Sequence, residues 1–468
     1  MGNKIMNKKT WFWVLVLFFV AAFFRIFFFD LIEFKTDEAI TVFQTVQFYL
    51  DPHIIQRGLI SGIGVYNFPL FNYLVIILSV FSRNPEHISF VIALINTLLV
   101  PIFFLIIRRY YDQVTAVFAS LLLAFSPWAI IYSRKIWAQD LILLLLIPFF
   151  ALLHELILRK KSQMTMPIFI ILVLLSQLHA SGIFLSAATI LIIILLRVKI
   201  NFWQALIGIL IGSIVAIPYI VFQLTSNPQC PDCEAFFKYQ SSARSFDIYN
   251  LIRPFQLMNG QGYHFVLGDS YDGFIASFSL LKYLKYFFLS SFIIPFIGIF
   301  FIITKKREYL FLVMYLVIIP PLYFVTRTIP YMHYFVILIP IIVTVYALSF
   351  SSIFNLLKAR LLKSLVIVSF GVFISVNIVF VYCFYQYLSI AKVIQGDYGP
   401  IFSLTKQTVD QRLQDYRNVQ YYNELQSYTY VILGSKDFNA KLSNFFVYHG
   451  DTEFAALELE KQTKEVFK

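Results

Sequence analysis

The chain has 468 residues, of which 59% are hydrophobic, 19% aromatic and only 13% charged, with a formal net charge of +12. Soluble domains carry about 25% charged residues and about 45–50% apolar ones. So few charges cannot cover a water-exposed surface, which excludes a soluble enzyme and a nucleic-acid reader; the positive charge belongs to the loops of a membrane protein.

Twelve apolar blocks follow in order, at roughly 11–29, 66–81, 88–107, 114–131, 140–158, 164–178, 180–196, 203–222, 284–303, 309–326, 331–350 and 364–388. Most have the length of about twenty residues that crosses about 30 Å of hydrocarbon. The first, Trp11 to Phe29, follows Lys4, Lys8 and Lys9 and lacks a small-residue cleavage site, which reads as a retained signal anchor. The second is short and holds Asn67, Pro69 and Asn72. If it does not span, the clusters Lys4/Lys8/Lys9, Arg108/Arg109, Arg159/Lys160/Lys161, Arg197/Lys199, Lys305/Lys306/Arg307 and Lys358/Arg360/Lys363 all fall on the cytoplasmic side. If it spans, every cluster after the first falls outside. The charge rule therefore predicts an all-α polytopic protein of about eleven transmembrane helices, with 66–81 as a juxtamembrane or re-entrant helix.

This topology places a membrane domain at 1–388, with external loops at about 30–86 and 223–282, and an extracytoplasmic C-terminal segment at 389–468. The tail turns polar, with an expected helix near Leu404–Arg417 and a strand-like Tyr428–Leu433. Within the first loop, Asp37 and Glu38 precede Ile40, Phe43, Val46 and Leu50 at helical spacing. The pair fits helix capping by Thr36 with acids in the first turn, and it equally fits a carboxylate base facing a lipid-linked substrate. Arg25 lies near the external end of the first span, placed to snorkel outward or to pair with a loop acid.

The turn Tyr132-Ser133-Arg134-Lys135-Ile136-Trp137-Ala138-Gln139-Asp140 is external, so Arg134 and Lys135 break the charge rule that the other clusters obey. An anionic head group would account for them, with Asp140 orienting Arg134; interfacial snorkelling beside a belt tryptophan is the plainer account. His179 occupies the external turn after the fifth span as a candidate lining residue. Arg327, Tyr331 and His333 share another external turn as candidate donor-phosphate contacts, with Arg327 again opposing the charge rule; an aromatic belt with one snorkelling arginine is the plainer account. Cys230 and Cys233 are too few for a zinc site and read as a local disulfide or two free thiols, while Cys383 reads as a small hydrophobe.

The Asp-Glu pair after span one, the Pro-containing juxtamembrane helix and Tyr-Ser-Arg-x5-Asp before span four together resemble the GT-C membrane glycosyltransferases. The likeness is greatest to the dolichyl-phosphate-mannose protein mannosyltransferase-like group, glycosyltransferase family 39, and its aminoarabinose-transferase relatives. It covers roughly residues 10–200 and, more loosely, Arg327–Pro340. The juxtamembrane Val65-Tyr66-Asn67-Phe68-Pro69-Leu70 departs from both groups and lacks the lysine of the aminoarabinose transferases.

The resemblance implies sugar transfer from a polyprenyl-phosphate donor to an acceptor lipid, glycan or protein on the extracytoplasmic face. It maps Asp37 to the base and Glu38 to its neighbour, with Arg134 and Asp140 as the later-loop pair. Direct displacement with inversion is expected, since phosphate leaves without a general acid and one carboxylate serves the acceptor hydroxyl. Asp37, Glu38 and Asp140 are enough on paper for a divalent ion, but the mannosyltransferase resemblance implies no metal, so no cofactor is expected. The expected partners are the donor, the acceptor and membrane lipids, without nucleic acid. The expected location is a prokaryotic plasma membrane, with the N-terminus cytoplasmic. A flippase or transporter, or a polysaccharide polymerase or ligase, is the competing reading; charges gathered at one interface rather than at the midplane favour interfacial chemistry.

Overall fold

The computed structural model describes residues 8–407 apart from 62–63, 227–229, 231, 234 and 237–245. The architecture is an all-α, multi-pass membrane bundle. Among the described residues, eight helices are long and apolar enough to cross a bilayer: Lys8–Ile26, Pro85–Tyr110, Ala138–Ile157, Phe202–Thr225, Leu281–Lys305, Arg307–Val325, Met332–Leu356 and Arg360–Ala391. The remaining blocks expected to span coincide with the shorter apolar helices Gln113–Phe125, Ser162–Leu178 and Ser181–Leu195.

Local chemistry explains where the helices start and stop. The first, α1 (Lys8–Ile26), ends short of the apolar block because Phe28 enters the left-handed region, with φ of 60°. Helix α2 (Thr36–Leu50) begins with Lys35 at the cap position, whose N–H donates to Glu38 Oε2 at 3.1 Å. Its Ile40, Phe43 and Val46 are buried, as their spacing requires. Helix α3 (Leu70–Leu78) has nine residues. It extends only about 14 Å at 1.5 Å per residue, too short to span.

Helix α4 (Pro85–Tyr110) starts where Asn84 accepts from the Glu86 N–H at 2.8 Å, with Pro85 in its first turn. The expected 114–131 block is broken into α5 (Gln113–Phe125) and α6 (Pro127–Ile131). Ser126 causes the break, since its Oγ accepts from the Ala129 N–H at 3.1 Å and Pro127 follows at the first helical position.

The Met332–Leu356 helix is almost wholly buried and forms the centre of the bundle, against α5 and the Ile293–Lys305 helix. Without a hydrophobic force between helices in lipid, small residues and polar pairs hold the packing. Thr115 Oγ1 donates to Ser351 Oγ at 2.7 Å, and Thr189 and Tyr315 hydroxyls meet at 2.7 Å. Gly208 and Gly212 admit the neighbouring Thr165–Leu178 helix, for a Cβ on them would lie 2.6 Å from Met166 O and 2.8 Å from Val173 Cβ.

After the last long helix, residues 392–405 return to the segment between α1 and α2. The Phe34 N–H donates to Pro400 O at 3.2 Å, the Phe402 N–H to Ile32 O at 2.7 Å, and the Tyr398 hydroxyl to Leu31 O at 2.6 Å. Residues 402–407 are helical. The rest of the expected 404–417 helix, the 428–433 strand and most of the C-terminal segment lie outside the described residues. Cys230 and Cys233 form a disulfide, and Cys383 is free and buried.

Candidate active site

Residues 31–38, the turn 132–140 and the segment 393–402 converge at one end of the bundle. Their centre is Glu33, whose side chain has no exposed surface. Its Oε1 lies 2.7 Å from Lys35 Nζ, and its Oε2 pairs with the buried Lys135 Nζ. Lys35 Nζ also donates to the Asp397 carbonyl and lies 3.7 Å from Asp397 Oδ1. Glu38 is buried beside them.

Burial, with the negative charge of Glu33, pushes the Glu38 carboxyl up to about 8, so it is protonated at neutral pH. Burial alone would lower the Lys135 and Lys35 ammonium groups. Glu33 and the neighbouring acids together outweigh it, with Glu33 the largest of them, and both are raised. Burial would raise Asp397, but Lys35 and Lys135 hold it below the usual carboxylate range. Asp37, one residue from Glu38 in the first turn of α2, is only half-buried, and its charge is among those acting on Glu38.

Arg134 and Asp140 make their contacts differently from the expected pairing. The Arg134 guanidinium points into protein, donating to Phe27 O at 3.3 Å, to Phe28 O and to the Tyr385 hydroxyl at 2.8 Å. Tyr385 in turn donates to Phe24 O at 3.0 Å. Arg134 thus covers the carbonyl-rich C-terminus of α1, where a cation is favoured. Asp140 Oδ1 accepts from the backbone N–H groups of Arg134 and Lys135, at 2.8 and 2.9 Å, and so closes the turn rather than gripping the guanidinium.

Arg25 neither snorkels nor pairs with an acid. It is fully buried and donates to Leu123 O at 3.1 Å, Ala124 O at 3.3 Å and Ala129 O at 3.4 Å, pinning α1 to the α5–α6 break.

The 331–334 turn joins the cluster through its rings. His333 packs 5.1 Å from Trp137, 5.5 Å from Tyr331 and 5.8 Å from His179, and Lys135 Nζ sits 4.3 Å from the Trp137 ring centre. His179 Nδ1 lies 2.7 Å from Ser181 Oγ. Arg327 is exposed at the start of this turn, with φ of 53° and its guanidinium 4.6 Å from the Phe246 ring centre. The turn is held from behind by Arg253, a buried cation that sequence reasoning missed. Arg253 Nε donates to Pro330 O at 3.0 Å, and Asn250 donates to Thr328 O at 2.8 Å. Burial pulls the Arg253 guanidinium down to about 10.

Glu33, Lys35 and Asp397 were also missed as site residues. Asp397 carried a readable signal, an acid in the turn Gly396-Asp397-Tyr398-Gly399-Pro400 immediately after the last span.

Among the described residues, no three His, Cys, Asp or Glu side chains are grouped to hold a metal ion.

No family model matches the chain, and no curated protein matches it in sequence. Its structure is similar to that of ArnT from Cupriavidus metallidurans in the apo state, at TM-score 0.56 and 12% identity, covering 98% of this chain and 77% of that one. It is also similar to the same ArnT bound to undecaprenyl phosphate, at TM-score 0.53 and 12% identity, covering 97% and 78%. The Archaeoglobus fulgidus oligosaccharyltransferase in complex with Zn and sulfate matches at TM-score 0.53 and 12% identity, over 89% of this chain and 57% of that one. The chain thus spans little more than half the length of the oligosaccharyltransferase. The all-α, polytopic membrane fold expected from the sequence is the one observed, and it is the fold these structures share.

Proposed function

We propose that the protein transfers a hexosyl or pentosyl group from a polyprenyl-phosphate donor to an acceptor hydroxyl at the extracytoplasmic face of a prokaryotic plasma membrane. The observation that carries this reading is the meeting, at one end of a GT-C bundle, of the α2 acid pair with the 132–140 turn and Asp397. A lipid-anchored donor presents its phosphate and sugar at that depth, and the ArnT neighbour was solved with undecaprenyl phosphate bound.

In this reading Asp37 is the base. Its carboxylate accepts the acceptor hydroxyl proton as that oxygen bonds to the anomeric carbon from the face opposite the phosphate. The anomeric carbon–oxygen bond to phosphate breaks, and polyprenyl phosphate departs with the bonding pair, so configuration inverts and no general acid is needed. Protonated Glu38 keeps a second negative charge away from Asp37. Arg327, exposed at the rim, is the cation assigned to the donor phosphate. Arg134 and Asp140 support the reaction by holding the turn that carries Lys135 and Trp137.

The test is purified protein incubated with a panel of polyprenyl-phosphate sugars, with release of polyprenyl phosphate as the readout. Asp37→Asn should reduce transfer by about 10²-fold or more, the usual share of a general base. Full transfer by Asp37→Asn at equal protein level would overturn the assignment. Saturable lipid movement in liposomes without turnover of any donor would favour a flippase instead.

A further inference from the structure

The network of charges does not by itself say what holds a sugar ring. Three turns far apart in sequence bring aromatic rings to a common point beside it: Trp137 from the 132–140 turn, His179 between two helices, and Tyr331 and His333 from the 331–334 turn. The Tyr331 and His333 planes are nearly parallel, 10° apart with centres at 5.5 Å, while Trp137 stands at 65° to His333.

In exposure these rings lie between the core and the outer surface of the bundle. Core rings such as Tyr263 and Tyr346 are fully buried, and rings facing the lipid, such as Tyr283 and Trp203, are mostly exposed. Trp137, His179, Tyr331 and His333 are all half-buried. An ordinary interfacial belt spreads its aromatics around the perimeter, whereas here Trp137, His179 and Tyr331 all pack against the one ring of His333. They also border charge: Lys135 lies over Trp137, and His333 is within electrostatic reach of Asp397, Lys135 and Lys35. Aromatic walls with a few placed polar groups are the makings of a small-molecule site. The matching ligand has an apolar face and a rim of hydroxyls, which describes a pyranose.

We infer that Trp137 and His333, backed by Tyr331 and His179, form a stacking surface for a pyranose ring beside the Asp37–Glu38 turn. This deepens the transfer reading and rests on it for the identity of the ring as the donor sugar. Trp137 is a binding residue in this scheme and makes no bond to a reacting atom.

The experiment is equilibrium binding to the full-length protein in detergent. The probes are polyprenyl phosphate alone, a polyprenyl-phosphate hexose, and free hexose oligosaccharides. Trp137→Ala should weaken the hexose-bearing lipid about tenfold, the order of one aromatic contact, and leave bare polyprenyl phosphate unchanged; Trp137→Phe should restore most of the affinity. If wild type binds neither lipid but binds the oligosaccharides in a Trp137-dependent way, the donor reading falls and the surface stands as an acceptor-sugar site. If Trp137→Ala binds every probe as wild type does, or loses both lipids equally, or if no saccharide binds wild type, the inference is overturned.

Discussion

Glu33 is the residue on which the site end of the bundle depends most. Its carboxylate is fully buried and meets two lysines from different parts of the chain, Lys35 at 2.7 Å and Lys135, itself almost fully buried. Glu33→Gln keeps the shape and removes the charge. Lys35 keeps Asp397 and some solvent exposure, but Lys135 is left as a buried cation without its direct counter-ion. Removing one partner of a buried pair costs about 3–5 kcal/mol, chiefly from the charge left behind. Glu33→Gln should therefore destabilise by about that amount.

Lys135→Met should cost less, because Glu33 retains Lys35. The double variant should recover about 2 kcal/mol or more relative to the sum of the singles, the signature of direct coupling. The assay is reversible chemical unfolding in detergent micelles, followed by tryptophan fluorescence, for all four proteins. A loss for Glu33→Gln of about 0.5 kcal/mol or less, the range of an ordinary surface change, would refute the reasoning. Additivity of the two singles would refute it equally.

Two further outcomes follow from the same network. Glu38 holds its proton up to about 8 in the native protein, whereas an unfolded glutamate releases it near about 4.3. Between those values the folded state binds one more proton, so stability should fall as pH rises, by up to about 1.4 kcal/mol per unit from this group. Glu38→Gln should flatten the wild-type profile between about 4.5 and about 8, measured by the same unfolding assay; an unchanged slope would show that Glu38 is ionised throughout. Asp140→Ala should cost about 2–4 kcal/mol by leaving the Arg134 and Lys135 amides without their acceptor. Asp140→Asn, which keeps an acceptor oxygen, should cost less than half as much, and equal losses would assign the role to the charge instead.

Much of the architecture was legible because its determinants are local. Apolar run length reveals bilayer-crossing helices, and the placement of lysines and arginines argued that 66–81 does not cross. A nine-residue α3 at Leu70–Leu78 agrees with that exclusion. The start of α2 was legible to within one residue, since acids in a first turn followed by apolar residues at helical spacing are a short-range signal. The break at Ser126-Pro127 was written equally plainly, as a capping serine before a proline, and was missed because hydropathy alone runs straight through it.

The partners of the charged residues were another matter. Arg134 stood out in the sequence as a cation out of place, and an anion was the natural partner to assign it. In the folded chain that cation meets the carbonyls at the end of α1 and Tyr385, 251 positions away. Its neighbour Lys135 takes the buried carboxylate, Glu33, 102 positions away. Sequence by itself determined that this is a multi-pass helical membrane protein with an acid pair at the head of an amphipathic helix, because hydrophobicity and helix signals are read within one or two turns of chain. Which charge neutralises which, and which rings gather beside them, was decided only by tertiary structure. Helix ends far apart in sequence must share one small volume, and a charge buried there takes whatever partner the packing brings within reach.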